Sequence, residues 1–301
     1  MKLLLAFLRA SRPKQWVKNG LLFVAIIFSA KYGEADLWIR VWVGFGAFCC
    51  LASAGYLMND IMDRDADRKH PRKSKRPIAS GALPVSVASL GVVAYLLLGL
   101  AAAYWVSPIF FGVSMGYLLT TLTYSFVLKH VMIVDVLVLS LCYVWRAVAG
   151  ALAIDVLVSP WLFLCTAFLA LFIGFNKRRA ELLQLGDGAG TRKILRQYSP
   201  ALLQQYQSAV TSAAIVSYAL YTVQGARTAW LVLTLPFVMY GLFRFAYLVE
   251  HRGKGEAPDE TLLTDPPLVM SGVMYLVVAV TVIQLHVSGF FDAWLVTMPL
   301  E

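Results

Sequence analysis

This sequence is poor in charge. Only 14% of its 301 residues are Asp, Glu, Lys or Arg, and only 17 are acidic. A soluble domain carries about a quarter charged residues, so a water-facing globule is excluded. Cysteine is also scarce. Cys49, Cys50, Cys142 and Cys165 all lie in apolar runs without zinc spacing, which excludes a disulfide framework and a zinc site and leaves small buried hydrophobes. His70, His130, His251 and His286 show no ligand spacing. There is no Walker-type phosphate loop, no GxSxG and no HExxH. Low-complexity tracts and short repeats are absent too.

Apolar sequence takes the place of charge: 59% of the chain is hydrophobic and the mean hydropathy is +0.70. Runs of about 17–25 apolar residues mark membrane-crossing helices. Nine are predicted, at 19–33, 38–59, 86–105, 108–128, 132–153, 159–176, 208–225, 228–248 and 268–288, with Ser107-Pro108 and Ser159-Pro160 as helix breaks. The segment 1–16 reads as a short amphipathic surface helix, not a signal peptide. With the N-terminus inside, 22 of the 26 Lys and Arg fall on inner segments, three fall outside, and Arg146 lies within a span. That asymmetry predicts a cytoplasmic N-terminus in an inner, cytoplasmic membrane. The net charge of +9 is then positive-inside charge and attraction to anionic lipid or substrate, and nucleic acid is not a partner. The expected fold class is all-α integral membrane, one polytopic domain over 1–301, with cytoplasmic loops 60–85 and 177–207 carrying the chemistry. A homo-oligomer is left open.

Against this background one stretch stands out. Residues 59–81, NDIMDRDADRKHPRKSKRPIASG, hold four of the 17 acids and seven of the 26 bases. At about 100° per residue, Asn59, Asp60, Asp63 and Asp67 share one helical stripe and Asp65 points away. Three carboxylates and an amide form an oxygen set suited to Mg²⁺, which commonly also takes substrate phosphate oxygens. Lys73 and Arg76 follow within reach of a bound anion, with the helix expected to end at His70-Pro71. The plainer alternative is a capped helix and a solvated positive-inside loop.

Further candidates lie on the same membrane face. Tyr124, Lys129 and Asp135 cluster at one connection, and Arg146 returns to nearly the face of Asp135. Lys129 reads equally as an anchor or an anion ligand, and Arg146 as a functional group or a structural ion pair. Lys177 and Arg178, in Asn176-Lys177-Arg178-Arg179-Ala180-Glu181, suggest an anion site, with an i,i+4 surface pair as the alternative. Trp16 is an interfacial anchor. Lys18 and Asn19 begin the first span as anchors or ligand contacts. The loop Gly253 to Asp265 carries no catalytic assignment.

The run Asn59 to Asp67 resembles the NDxxDxxxD signature of the UbiA superfamily of intramembrane prenyltransferases. That resemblance implies a ring of helices around a lipid-open cavity, with the first Asp-rich motif holding Mg²⁺ on a diphosphate. The chain departs from aromatic-acceptor members after the sixth span, where a second DxxxD is replaced by Asn176 to Glu181. In that respect it is similar to the decaprenyl-phosphate phosphoribosyltransferase branch. Also similar are RPKQWVKN at 12–19, DADRKHPRKSKRPIASG at 65–81, YSFVLKH at 124–130 with Asp135, KRRAEL at 177–182 and RFAYLVEHRGKGEAPDE at 244–260. Lys129 stands five residues after Tyr124 instead of the four of YxxxK. The resemblance implies phosphoribosyl diphosphate and polyprenyl phosphate as substrates, a Mg²⁺ requirement, and a product feeding cell-envelope arabinan precursors. On this reading Asp60, Asp63, Asp67 and Asp135 are catalytic; Asn59, Asp60, Asp63 and Asp67 hold the metal, and Asp135 assists from the facing helix. Lys73, Arg76 and Lys129 grip the diphosphate, Lys177 and Arg178 the 5-phosphate, and Lys18 or Arg146 the lipid phosphate. The competing readings are a UbiA-type prenyltransferase with a prenyl diphosphate and an aromatic acceptor, and a non-catalytic lipid transporter or flippase.

Overall fold

The structure, a computed structural model, describes residues 2–31, 33–69, 73–185, 195, 197–252, 255 and 258–293. Twelve α-helices follow in chain order: α1 (Lys2–Ser11), α2 (Val24–Phe28), α3 (Ala35–Met62), α4 (Arg64–Arg68), α5 (Val85–Val106), α6 (Pro108–Phe126), α7 (Val134–Ala153), α8 (Pro160–Leu185), α9 (Pro200–Leu220), α10 (Leu235–Arg252), α11 (Pro258–Thr264) and α12 (Pro266–Val287). No strand occurs among the described residues. The expected helix end at His70-Pro71, most of the loop between α8 and α9, and part of Gly253 to Asp265 lie outside the described residues.

Seven helical segments among the described residues are long and apolar enough to cross a membrane: α3, α5, α6, α7, most of α8, Ala229–Arg252 and α12. The protein is an integral, multi-pass membrane protein. The other two expected spans take different forms. The segment 19–33 is not a continuous α-helix. Pro13–Phe23 winds as a 3₁₀-helix and only Val24–Phe28 is α-helical. Three residues per turn place side chains i and i+3 on one face, so Trp16, Asn19 and Leu22 all point inward. Trp16 Nε1 donates to Ser53 Oγ at 3.1 Å, and Asn19 and Leu22 are fully buried. The backbone here runs directly against Gly150 of α7, where a Cβ would stand 2.2 Å from the Leu22 carbonyl oxygen. The segment 208–225 is the end of α9, which carries Gln204, Gln205 and Gln207 and closes in a π-helical turn, Tyr221–Gly225.

α3 and α7 are the central helices. Their apolar windows are 61% and 56% buried, against 22–28% for the others. Small residues permit this: α3 buries Gly44, Ala47, Ala52, Ser53, Ala54 and Gly55. A Cβ on Gly99 of α5 would meet the Ala47 carbonyl oxygen at 3.1 Å. Such glycine contacts let helices pack without a hydrophobic drive between them. α3 is 28 residues long, about 42 Å at 1.5 Å per residue. The hydrocarbon core is about 30 Å thick, so α3 is longer than a crossing requires, and its last turn carries Asn59 and Asp60.

Candidate active site

The acidic stripe forms where α3 hands over to α4. Asp63 is the hinge residue between them, yet helical bonding continues through it: its N–H donates to the Asn59 carbonyl at 2.9 Å, and the Asp67 N–H donates to the Asp63 carbonyl at 2.8 Å. Asp60 and Asp67 are therefore buried on one side, while Asp65 is exposed and pairs with Arg64 and Arg68. Cations close over the stripe. Arg76 Nη1 stands between two carboxylates, 3.0 Å from Asp60 Oδ1 and 2.6 Å from Asp67 Oδ2. Arg12 Nη2 reaches the same Asp60 oxygen at 2.6 Å, and its guanidinium lies over the Tyr56 ring. Lys73 is 4.0 Å from Asp67. Asp63 accepts from Asn59 at 3.1 Å and from Lys129 at 3.4 Å.

Arg12 was not among the residues expected here. Its backbone has a positive φ of 53°, a turn between α1 and the 3₁₀-helix that swings the side chain towards a partner 48 positions away. The sequence signals for it are the RPKQWVKN motif, which it opens, and the proline that follows it.

Asp135 and Arg178, expected in different parts of the site, meet each other. α7 and α8 touch at Gly174, where a Cβ would come within 2.6 Å of Val136. One turn further along α8, Arg178 Nε donates to Asp135 Oδ2 at 2.7 Å and its Nη1 to Glu181 at 2.6 Å. Both Asp135 and Arg178 are sealed from solvent. Arg178, expected on a phosphate, is thus engaged with carboxylates, and Asp135, expected to assist a metal, holds a guanidinium. Tyr198 adds a second bond to Asp135, donating to Oδ1 at 3.3 Å. Burial pushes the Tyr198 hydroxyl up to about 12, so it keeps its proton at neutral pH. Tyr124 lies within electrostatic reach of Arg178.

Arg146 does not pair with Asp135. It sits in the bundle interior, donating to Asn19 Oδ1 (2.7 Å), the Cys142 carbonyl (2.7 Å) and the Tyr117 hydroxyl (2.9 Å), with Tyr117 and Tyr143 rings over its guanidinium. Such neutral dipoles and π faces satisfy a lone buried cation. Lys18 donates to Gln15 at 2.5 Å. Lys177 is half-buried beside Arg178.

Among the described residues, no three carboxylates, histidines or cysteines converge as a metal site. The oxygen set nevertheless suits a hard cation: a positive nitrogen already stands between Asp60 and Asp67, where a divalent ion would need Arg76 to move aside.

A model of the UbiA prenyltransferase family matches residues 20–263. The chain belongs to the UbiA prenyltransferase family. Among its relatives, the decaprenyl-phosphate phosphoribosyltransferase of Corynebacterium glutamicum is 34% identical over 92% of this chain and 87% of the relative. The enzyme of that name from Mycolicibacterium smegmatis is 35% identical over 86% of each. Among solved structures, a UbiA homolog from Archaeoglobus fulgidus bound to GPP and Mg²⁺ superposes with a TM-score of 0.70 over 93% of this chain and 99% of that one, at 22% identity. That likeness shows the UbiA fold.

Proposed function

We propose that this UbiA-family protein transfers 5-phosphoribose from 5-phosphoribosyl 1-diphosphate to a polyprenyl phosphate, releasing diphosphate. The observation that carries the reading is the position after the sixth expected span. There Arg178 is locked against Asp135 and Glu181, leaving no second free acidic pair among the described residues for a prenyl diphosphate. Relatives bearing the phosphoribosyltransferase name match over most of the chain.

The donor presents two anionic ends. Asn59, Asp60, Asp63 and Asp67 would hold Mg²⁺, which neutralises charge on the departing diphosphate. Arg76, Lys73 and Lys129 surround those carboxylates and grip the diphosphate oxygens directly, with Arg12 joining them from Asp60. Lys177 takes the 5-phosphate, and Arg178 shapes that end of the site through Asp135. An oxygen of the lipid phosphate attacks ribose C1 as the bond from C1 to the diphosphate oxygen breaks. The nucleophile is already an anion, so no general base is needed. Positive charge developing at C1 is stabilised by the fixed carboxylates nearby. One in-line displacement inverts the configuration at C1, and retention would rule out that scheme. The isoprenoid tail lies between helices in the bilayer, with the buried Arg146 and Asn19 bordering its path.

The 3₁₀ segment with α2, and α9, supply the remaining two of nine crossings. The positive-inside count puts the N-terminus and the acidic site on the cytoplasmic side of the inner membrane, where a phosphosugar is available. The product is suited to arabinan precursors of the cell envelope. The deciding experiment incubates purified protein with Mg²⁺, polyprenyl phosphate and phosphoribosyl diphosphate. Release of diphosphate that depends on the lipid is the expected result. Turnover of a prenyl diphosphate with an aromatic acceptor, or no turnover at all, overturns the proposal.

A further inference from the structure

Between the Lys129 turn and α7 the backbone is strained. Leu128–His130 forms one 3₁₀ turn, and four residues later α7 begins at Val134. The link is closed by a bond from the Val134 N–H to the Met132 carbonyl at 2.8 Å. Ile133 at its centre has φ 68° and ψ −47°. This is a γ-turn of the rare positive-φ kind. Four described non-glycine residues have positive φ, and Ile133 is the β-branched one among them, which makes it the most costly. Strain of this kind persists only where surrounding contacts hold it.

The contact that holds it comes from far along the chain. The Ile133 N–H donates to the Tyr198 hydroxyl at 2.8 Å. The same hydroxyl donates to Asp135 Oδ1, and Asp135 Oδ2 is fixed by Arg178. The Tyr198 ring is buried in an apolar cluster with Val136, Phe175, Leu195 and Leu203, against which Met132 also packs. One phenol thus ties the backbone of the turn, the first turn of α7 and α8 into a single unit. At the other end of this turn, Lys129 faces Asp63 across 3.4 Å.

We propose that Tyr198 is a positioning residue for phosphoribosyl transfer: it holds the strained Met132–Val134 turn and so presents Lys129 to Asp63 and the donor diphosphate. The role of Lys129 rests on the function proposed above; the latch itself does not. Tyr198 touches neither reacting atom and acts through Ile133 and Asp135.

Y198F is the primary test, because it keeps the ring and removes both hydrogen bonds. In lipid nanodiscs, amide exchange of residues 128–136 should speed up in Y198F while exchange in α3 and α5 stays at the wild-type rate. Unchanged exchange at 128–136 overturns the latch. In kinetics, Y198F should raise KM for phosphoribosyl diphosphate about tenfold, the size of one lost charge-assisted contact. The kcat should stay within about twofold and KM for polyprenyl phosphate should be unchanged. K129A should give the same shift, and the Y198F/K129A double variant should be no worse than K129A alone. Additive shifts show that the two residues act independently and overturn the proposal. I133G in the Y198F background should bring the raised KM part of the way back down, since glycine adopts positive φ without strain; loss of the Tyr198 ring's packing alone would show no such recovery. Faster exchange in Y198F combined with a normal KM in K129A would refute the anion grip of Lys129 and overturn the positioning role, while leaving the backbone latch and the acidic site untouched.

Discussion

At the end of α3, Asp60 and Asp67 meet cations that water can reach: Arg12 and Arg76 are 31% and 27% exposed. At the start of α7, Asp135 meets Arg178, and the pair is 0% and 1% exposed. Both are carboxylate–guanidinium contacts of 2.6–3.0 Å on one face of the bundle. Their environments separate their roles. A partly solvated guanidinium can leave a carboxylate cheaply, because water screens the charges as they part. A buried pair cannot, because each ion would be stranded in a low-dielectric interior. The first set is therefore the more easily opened of the two, and under the proposed function it would act as an exchangeable cage that trades cations for a metal-bound diphosphate. The second is a fixed strut that sets the geometry around it.

The contrast is broken most severely by R178A. Leaving Asp135 buried and unpaired should cost about 3–5 kcal/mol, read as a large fall in thermal midpoint in detergent. Replacing the pair together, as D135L with R178M, should return much of that stability without restoring activity. D67N should do the reverse. Its loss of lipid-dependent diphosphate release should be about a hundredfold to a thousandfold, or about 3–4 kcal/mol of transition-state stabilisation. Its stability should stay within about 1 kcal/mol of wild type, because Arg76 retains Asp60. If D67N melts as early as R178A, the division into cage and strut is wrong.

Much of this arrangement was readable from the residue order. The acidic stripe is local: its spacing of four recurs at each helical turn, and the hinge at Asp63 does not disturb it. What the order of residues hides is partner choice. Lys177, Arg178 and Arg179 look alike in sequence, yet a helical step of about 100° sends Arg178 into the α7 contact and Arg179 to Glu250 on α10. Arg146 and Asp135 share a helix face but stand three turns apart, too far to pair, and Arg146 is satisfied by Asn19 and Tyr117 from other segments. Arg12 and Tyr198 are placed by chain reversals that leave no periodic trace. The 3₁₀ winding of Pro13–Phe23 is equally silent, because an apolar run of that length reads as an α-helix until its contact with Gly150 is known.

A smaller effect sharpens the idea of an exchangeable cage. R76Q removes the cation standing between Asp60 and Asp67 and should raise KM for phosphoribosyl diphosphate about tenfold, near 1.4 kcal/mol. The same change should let Mn²⁺, as a probe of the metal site, bind more tightly in the absence of substrate, because two carboxylates lose a resident counter-charge. Electron paramagnetic resonance of bound Mn²⁺ measures this directly. Unaltered Mn²⁺ affinity would mean that Arg76 does not occupy the cation position.

The smallest expected effect compares two adjacent residues. Lys177 and Arg178 follow one another on α8, but Arg178 is turned into the bundle and Lys177 stays half-buried at its edge. K177A should therefore spare stability and raise KM for the sugar donor about threefold, in the range of a partly screened charge contact of under about 1 kcal/mol. That increment should shrink as ionic strength rises towards 1 M, where the Debye length falls to about 3 Å, whereas the defect of R178A should persist because its charges are shielded from salt by protein. A K177A effect confined to KM for the polyprenyl phosphate would move Lys177 to the lipid end of the site, and would leave the 5-phosphate to a cation outside this pair.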